Sequence, residues 1–132
     1  MKTAHTVAIG LLVLTTYACT PKMAFVTSSI VPSATGTVKV KKDKNKNYII
    51  NVSVLNLAEP DKLSPSKNTY LVWMRSTGNS AKKLGQLAPS GKALKGNLSA
   101  TAVEKPDDVF ITAEDNADID YPKGDVILTT KK

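Results

Sequence analysis

Among the 132 residues there is one histidine, His5, one cysteine, Cys19, and a single tryptophan, with four tyrosines and two phenylalanines as the other aromatics. The two scarcest residues exclude the most. Beyond residue 19 the chain has neither imidazole nor thiol, so it cannot assemble a Ser-His-Asp or Cys-His catalytic site, nor the usual ligand set for zinc, copper or haem. A lone cysteine also rules out an internal disulfide. The expectation is a protein that is not an enzyme and carries no cofactor. Long apolar runs are missing as well. Val7 to Leu14 falls far short of the roughly 20 residues that a membrane-spanning helix requires, and no stretch shows a convincing helical period.

The short apolar run has a different meaning. It follows a positive start at Met1 and Lys2 and ends before a small residue, Ala18, which is the pattern of a secretory signal. Thr16-Tyr17-Ala18-Cys19 resembles the lipobox of bacterial lipoprotein precursors, although Thr16 stands where leucine is usual and Leu14 lies two places further back. The resemblance implies that residues 1–18 are removed and that Cys19 becomes a lipidated N-terminus. The protein is then expected in the cell envelope, held to the membrane by a lipid anchor and facing the periplasm or exterior. An ordinary cleaved signal leaving a free thiol is the alternative. Thr20 to Ser33 is small and polar, with Pro21 and Pro32, and reads as a tether from the anchor, so that residues 19–33 precede a folded domain at 34–132. Phe25 and Val26 offer a competing reading as an edge strand.

The domain itself reads as all-β. Val38 and Val40 alternate with Thr37, Lys39 and Lys41, and Ile50, Val52 and Val54 alternate with Asn51 and Ser53, so two strands with one wet face each form a hairpin around residues 42–47. Asn56 to Asn68 has two prolines and no periodicity, and is expected to cross between sheets. Tyr70-Leu-Val-Trp-Met74 is β-branched and aromatic without alternation, as in a central strand buried on both faces, with Trp73 as the core anchor. Strands also fit Leu84–Leu87, where Gly85 marks a bulge or close approach, and residues 93–103, 109–113 and 125–130. About seven short antiparallel strands with turn signals between them indicate a β-sandwich of immunoglobulin-like type.

Several of these features occur together in one known family. Tyr70-Leu-Val-Trp73, Leu84-Gly85, Val109-Phe-Ile-Thr-Ala-Glu114 and Tyr121-Pro122-Lys-Gly124, over about Thr35 to Thr130, resemble the extracytoplasmic domain of the anti-sigma-K factor family. The resemblance implies a β-sandwich outside the membrane. It brings no catalytic residue and no sigma-factor binding, because the family's transmembrane helix and inner region have no counterpart here.

Charge is distributed unevenly along the chain. From Lys22 to Lys95 there are 13 Lys and Arg against three Asp and Glu; from Glu104 to Asp125 there are two against eight. Lys39, Lys41, Lys42, Lys44 and Lys46 gather at the hairpin and form a candidate interaction surface for anionic lipid headgroups or an acidic partner; a solvated hairpin that blunts edge pairing is the plainer reading. Nucleic acid is not expected for an exported chain with few aromatics near that patch. Glu114 to Asp120 holds five oxygen-bearing side chains but lacks the glycine and distal glutamate of an EF-hand, so a solvated loop is expected and no metal site is assigned. Ser64-Pro-Ser-Lys67 and Ser80-Ala-Lys-Lys83 have the Ser-x-x-Lys spacing of penicillin-recognising enzymes, which works only on a helix, and these segments read as turns. Asn51-Val-Ser53 and Asn97-Leu-Ser99 match the N-glycosylation pattern by chance. The functional expectation is a lipid-anchored binding or sensory module acting through contacts with an envelope protein. The alternative is a structural envelope-associated lipoprotein with no signalling role.

Overall fold

Strict alternation suits a strand with one buried and one wet face, and in this chain such strands pair with each other. A computed structural model describes Gly10 and residues 22–131; the rest of the proposed signal and Cys19 lie outside the described residues. Eight strands form: β1 (Lys22–Ala24), β2 (Thr35–Lys42), β3 (Tyr48–Leu55), β4 (Thr69–Arg75), β5 (Lys82–Leu87), β6 (Gly96–Ala102), β7 (Asp108–Glu114) and β8 (Val126–Thr129). They make two antiparallel four-stranded sheets, ordered β1-β2-β3-β6 and β5-β4-β7-β8. With β2 to β8 taken as the seven strands of an immunoglobulin-like sandwich, β5 is hydrogen-bonded to β4, whereas in the constant-type domain the corresponding strand pairs with the counterpart of β6.

The eighth strand, β1, comes from the segment expected to be a tether. That expectation is corrected from Lys22 onward. Lys22 to Ala24 pair with β2, the Phe25 amide donates to Gly36 O, and the Val26 amide donates to Thr129 O at 2.8 Å, so the chain passes from the edge of one sheet to the edge of the other. The Ser28 hydroxyl then accepts the Ile30 and Val31 amides, which turns Val31 and Ala34 into the core. Small polar residues here serve as turn caps, and the few apolar ones are buried. On the opposite side β5 and β6 lie next to each other. A Cβ on Gly85 would stand 3.0 Å from Leu98, and the β4–β5 register shifts at the same place, so the glycine serves both a bulge and a close approach.

Between the sheets pack Val38, Val40, Ile50, Val52 and Val54 from one side and Tyr70, Val72, Met74, Val109 and Ile111 from the other. The two-residue period of β4 sends Leu71 and Trp73 to the other face, away from this core. Trp73 is nonetheless fully buried, in a second cluster with Leu71, Phe110 and Ile119 on the outer side of the sheet. Its indole N–H donates to Thr112 Oγ1 at 2.8 Å. Trp73 is therefore an anchor of this outer cluster and not of the inter-sheet core. The segment from Asn56 to Asn68 crosses between sheets as expected, with a 3-10 turn at Pro60–Lys62, and Tyr70 Oη donates to Ala58 O at 2.6 Å to hold it down.

Two stability measurements follow. Trp73→Ala should cost about 3–5 kcal/mol in a denaturant melt, since a full indole leaves a site walled by a rigid sheet. Burial pushes the Tyr70 hydroxyl from 10.0 up to about 12. Below pH 10 both folded and unfolded chains keep that proton and stability is unaffected. Between pH 10 and about 12 only the unfolded chain releases it, so stability should fall by up to about 1.4 kcal/mol per pH unit. Melts across this range should show a shallower fall in Tyr70→Phe.

Candidate functional site

The five lysines of the hairpin separate into two groups because β2 alternates. Lys39 and Lys41 project from the outer face of the first sheet, while Lys42, Lys44 and Lys46 stand exposed at the turn. The turn is shaped by Asp43, whose Oδ1 accepts the Asn45 and Asn47 amides at 2.8 and 2.9 Å, with Lys46 at a positive φ of 63°. Lys42 Nζ lies 5.9 Å from the centre of the Tyr48 ring. β6 pairs along β3, but β1 pairs only with Thr37 to Lys39 of β2, so among the described residues Lys41 and Lys42 stand on an open stretch of edge, where lysines discourage further pairing.

Register across the four strands places Lys22 opposite Lys39, Lys39 opposite Asn51 and Asn51 opposite Ser99 in one row; Ala24, Thr37, Ser53 and Asn97 form the next. The two Asn-x-Ser repeats thus lie face to face, each asparagine across from the other's serine. With Lys22, Thr37 and Lys39 they line a shallow groove of about 480 Å³. None of the four strands of this sheet contains Asp or Glu. Neither ion pair among the described residues, Lys67–Asp115 and Arg75–Asp108, involves this face. Ammonium, amide and hydroxyl groups here can donate to an anionic or hydroxylated surface, and the described residues that line the groove include no aromatic ring. Lys22 was not foreseen, since three residues of Lys-Met-Ala carry too little alternation. The repeated Asn-x-Ser was the legible signal for the rest.

The acidic segment is built for another purpose. Glu114, at the end of β7, turns inward and is buried, and its carboxylate accepts the Lys123 amide at 3.0 Å and the Gly124 amide at 2.8 and 3.0 Å. A Cβ on Gly124 would come within 1.8 Å of Ala113 O, so only glycine fits this approach. The closed loop lays Ile119 and Ala117 over Trp73. Lys83 Nζ reaches across from β5 to donate to Ala117 O at 2.7 Å and Ile119 O at 2.9 Å. Asp115 meets Lys67 Nζ at 3.5 Å, and Asp118 and Asp120 are exposed. Among the described residues, no group of three or more His, Cys, Asp or Glu converges to hold a metal ion. Both Ser-x-x-Lys segments lie off any helix, and Lys67 and Lys83 are the lysines just placed against the loop.

Removing the clasp should open the cover. Glu114→Ala leaves the part-buried Lys123 and Gly124 amides without their acceptor and should cost about 1–2 kcal/mol in a denaturant melt, with red-shifted emission from Trp73 in the folded state. Glu114→Gln keeps one acceptor oxygen and should lose less.

Compared with protein-family models, curated proteins and solved structures, the chain has no significant match.

Proposed function

We propose that this chain is a lipid-anchored extracytoplasmic binding module, similar to the outer domains of anti-sigma factors, that acts through protein contacts made by the outer face of the β1-β2-β3-β6 sheet. One observation carries the reading: the face has lysines and no carboxylate, with Lys22 directly opposite Lys39. Like charges at opposed positions weaken a strand pair by several tenths of a kcal/mol, and among the described residues the strands of this sheet hold no carboxylate to offset them. An acidic surface on a partner would. A second reading, an envelope-associated lipoprotein without a signalling role, draws on the facing Asn51/Ser99 and Ser53/Asn97 pairs, whose amides and hydroxyls suit a hydroxylated envelope polymer.

Two experiments check these proposals. Cys19→Ser should abolish incorporation of labelled palmitate and either release the protein in soluble form or leave it uncleaved; a wild type that takes up no label removes the anchor from the proposal. From detergent-solubilised envelope, the wild type should recover a membrane-spanning protein that a Lys22→Glu/Lys39→Glu variant does not. Recovery of wall or outer-membrane material by both proteins would favour the structural role.

A further inference from the structure

The charge imbalance seen along the sequence is only partly separated in the fold, and its clearest feature is the lysine turn. β3 runs from the basic turn to Leu55, and the crossover that follows is bonded to the acidic segment: the Asn68 amide donates to Glu114 O, Asn68 Nδ2 to Asp115 O, and Lys67 Nζ reaches Asp115. The lysine turn therefore lies opposite the end where Glu114 and Asp115 meet the crossover, about 25 Å away for strands of this length, whereas Glu104, Asp107 and Asp108 lie at the turn's own end, engaged with Asn79, Thr77 and Arg75 respectively. Lys42, Lys44 and Lys46 are exposed at one end, while the one carboxylate of that turn, Asp43, is occupied with backbone amides.

The direction of β1 links the turn to the membrane. Ala24 stands opposite Thr37, Met23 opposite Val38 and Lys22 opposite Lys39, so the chain, followed backwards, leaves β1 heading toward the basic turn. Cys19 is three residues before Lys22, and a chain of that length spans at most about 11 Å. A lipid on Cys19 would thus hold the basic end within about one Debye length of the headgroups, where lysines act with little screening.

We infer that the domain stands end-on, with Lys42, Lys44 and Lys46 docked on the anionic lipid headgroups of the leaflet that holds its own anchor, and with the Glu114 end of the sandwich turned away. This rests on the proposed lipidation of Cys19. Each lysine near such a surface is worth about a factor of five in partition, and three of them together give a preference of well over tenfold for an anionic over a neutral bilayer. The lysines also decide which part of the domain stays free. The Lys22/Lys39 face lies along the side of the sandwich and remains open to a partner.

The test uses the mature, lipidated chain carrying a polarity-sensitive fluorophore at Asn45→Cys in the turn, or at Ser66→Cys in the crossover at the far end. It is reconstituted into vesicles of phosphatidylcholine alone or of equal parts phosphatidylcholine and phosphatidylglycerol. The turn label should enter the interface at least about tenfold more in the anionic vesicles, lose that preference in high salt and in Lys44→Glu/Lys46→Glu, and the crossover label should not respond. A turn label that reads the same in both vesicles overturns the inference. So does a turn that stays in water on anionic vesicles while Lys44→Glu/Lys46→Glu abolishes capture of the membrane-spanning partner. If Cys19 proves unlipidated, binding to anionic vesicles alone through the turn supports the docking and removes the anchor, and binding to neither removes both.

Discussion

A sandwich of two sheets offers each strand one inner face, yet β4 is buried on both. The rest of the second sheet is arranged around that constraint. Leu71 and Trp73, facing out, require a cover, and with no third layer of secondary structure available the cover is a loop. A loop rich in carboxylates would ordinarily lie away from an apolar cluster. Here it is held down at its ends and middle: Glu114 clasps the amides of Lys123 and Gly124, and Lys83 binds two carbonyls beside Ile119. The acidic side chains then point outward and Ile119 points in. Because Glu114 acts within the domain as a clasp, the acidic segment has a structural account that needs no ligand.

The same arrangement sets the electrostatics of the whole molecule. Closing the loop places Glu114 and Asp115 at the end where β7 finishes, and the β2–β3 turn places Lys42, Lys44 and Lys46 at the other, which they share with Glu104, Asp107 and Asp108. The β1 segment crosses from Gly36 to Thr129 and closes one open side, so that it is both part of the core and the link to whatever precedes Lys22. Orientation and stability are thereby joined in one piece of chain: the residues that seal the sandwich also fix which end a short N-terminal link approaches.

Much of this was legible beforehand, for physical reasons that differ from element to element. Two-residue alternation marked β2, β3 and β6, because one wet face is a local property of a strand, and the unbroken apolar run Tyr70 to Met74 marked the strand buried twice. Gly85 announced a bulge or close approach, whereas the contact that only Gly124 permits came into view with the structure. The lysines of the hairpin could be named from their positions, and so could the wet faces bearing Asn51 and Asn97. Register is not local. That Lys22 stands opposite Lys39, that the two Asn-x-Ser repeats face each other, and that Trp73 points away from the inter-sheet core depend on pairings between residues distant in sequence. Composition likewise misled at residues 22–33, where a polar stretch with few apolar side chains reads as a tether until the core supplies places for Val31 and Ala34.

By itself, then, the sequence determined the class of the protein: an all-β domain too poor in histidine and cysteine for the common catalytic and metal sites, with a charge imbalance along the chain. Tertiary structure alone decided where that imbalance goes. It folded residues 114–124 into a clasped lid over Trp73, split five lysines between a sheet face and a turn, and left Glu104, Asp107 and Asp108 at the end where that turn lies. The reason is that side-chain periodicity is dictated residue by residue, whereas strand order, register and loop closure are settled only when both sheets compete to bury the same apolar surface.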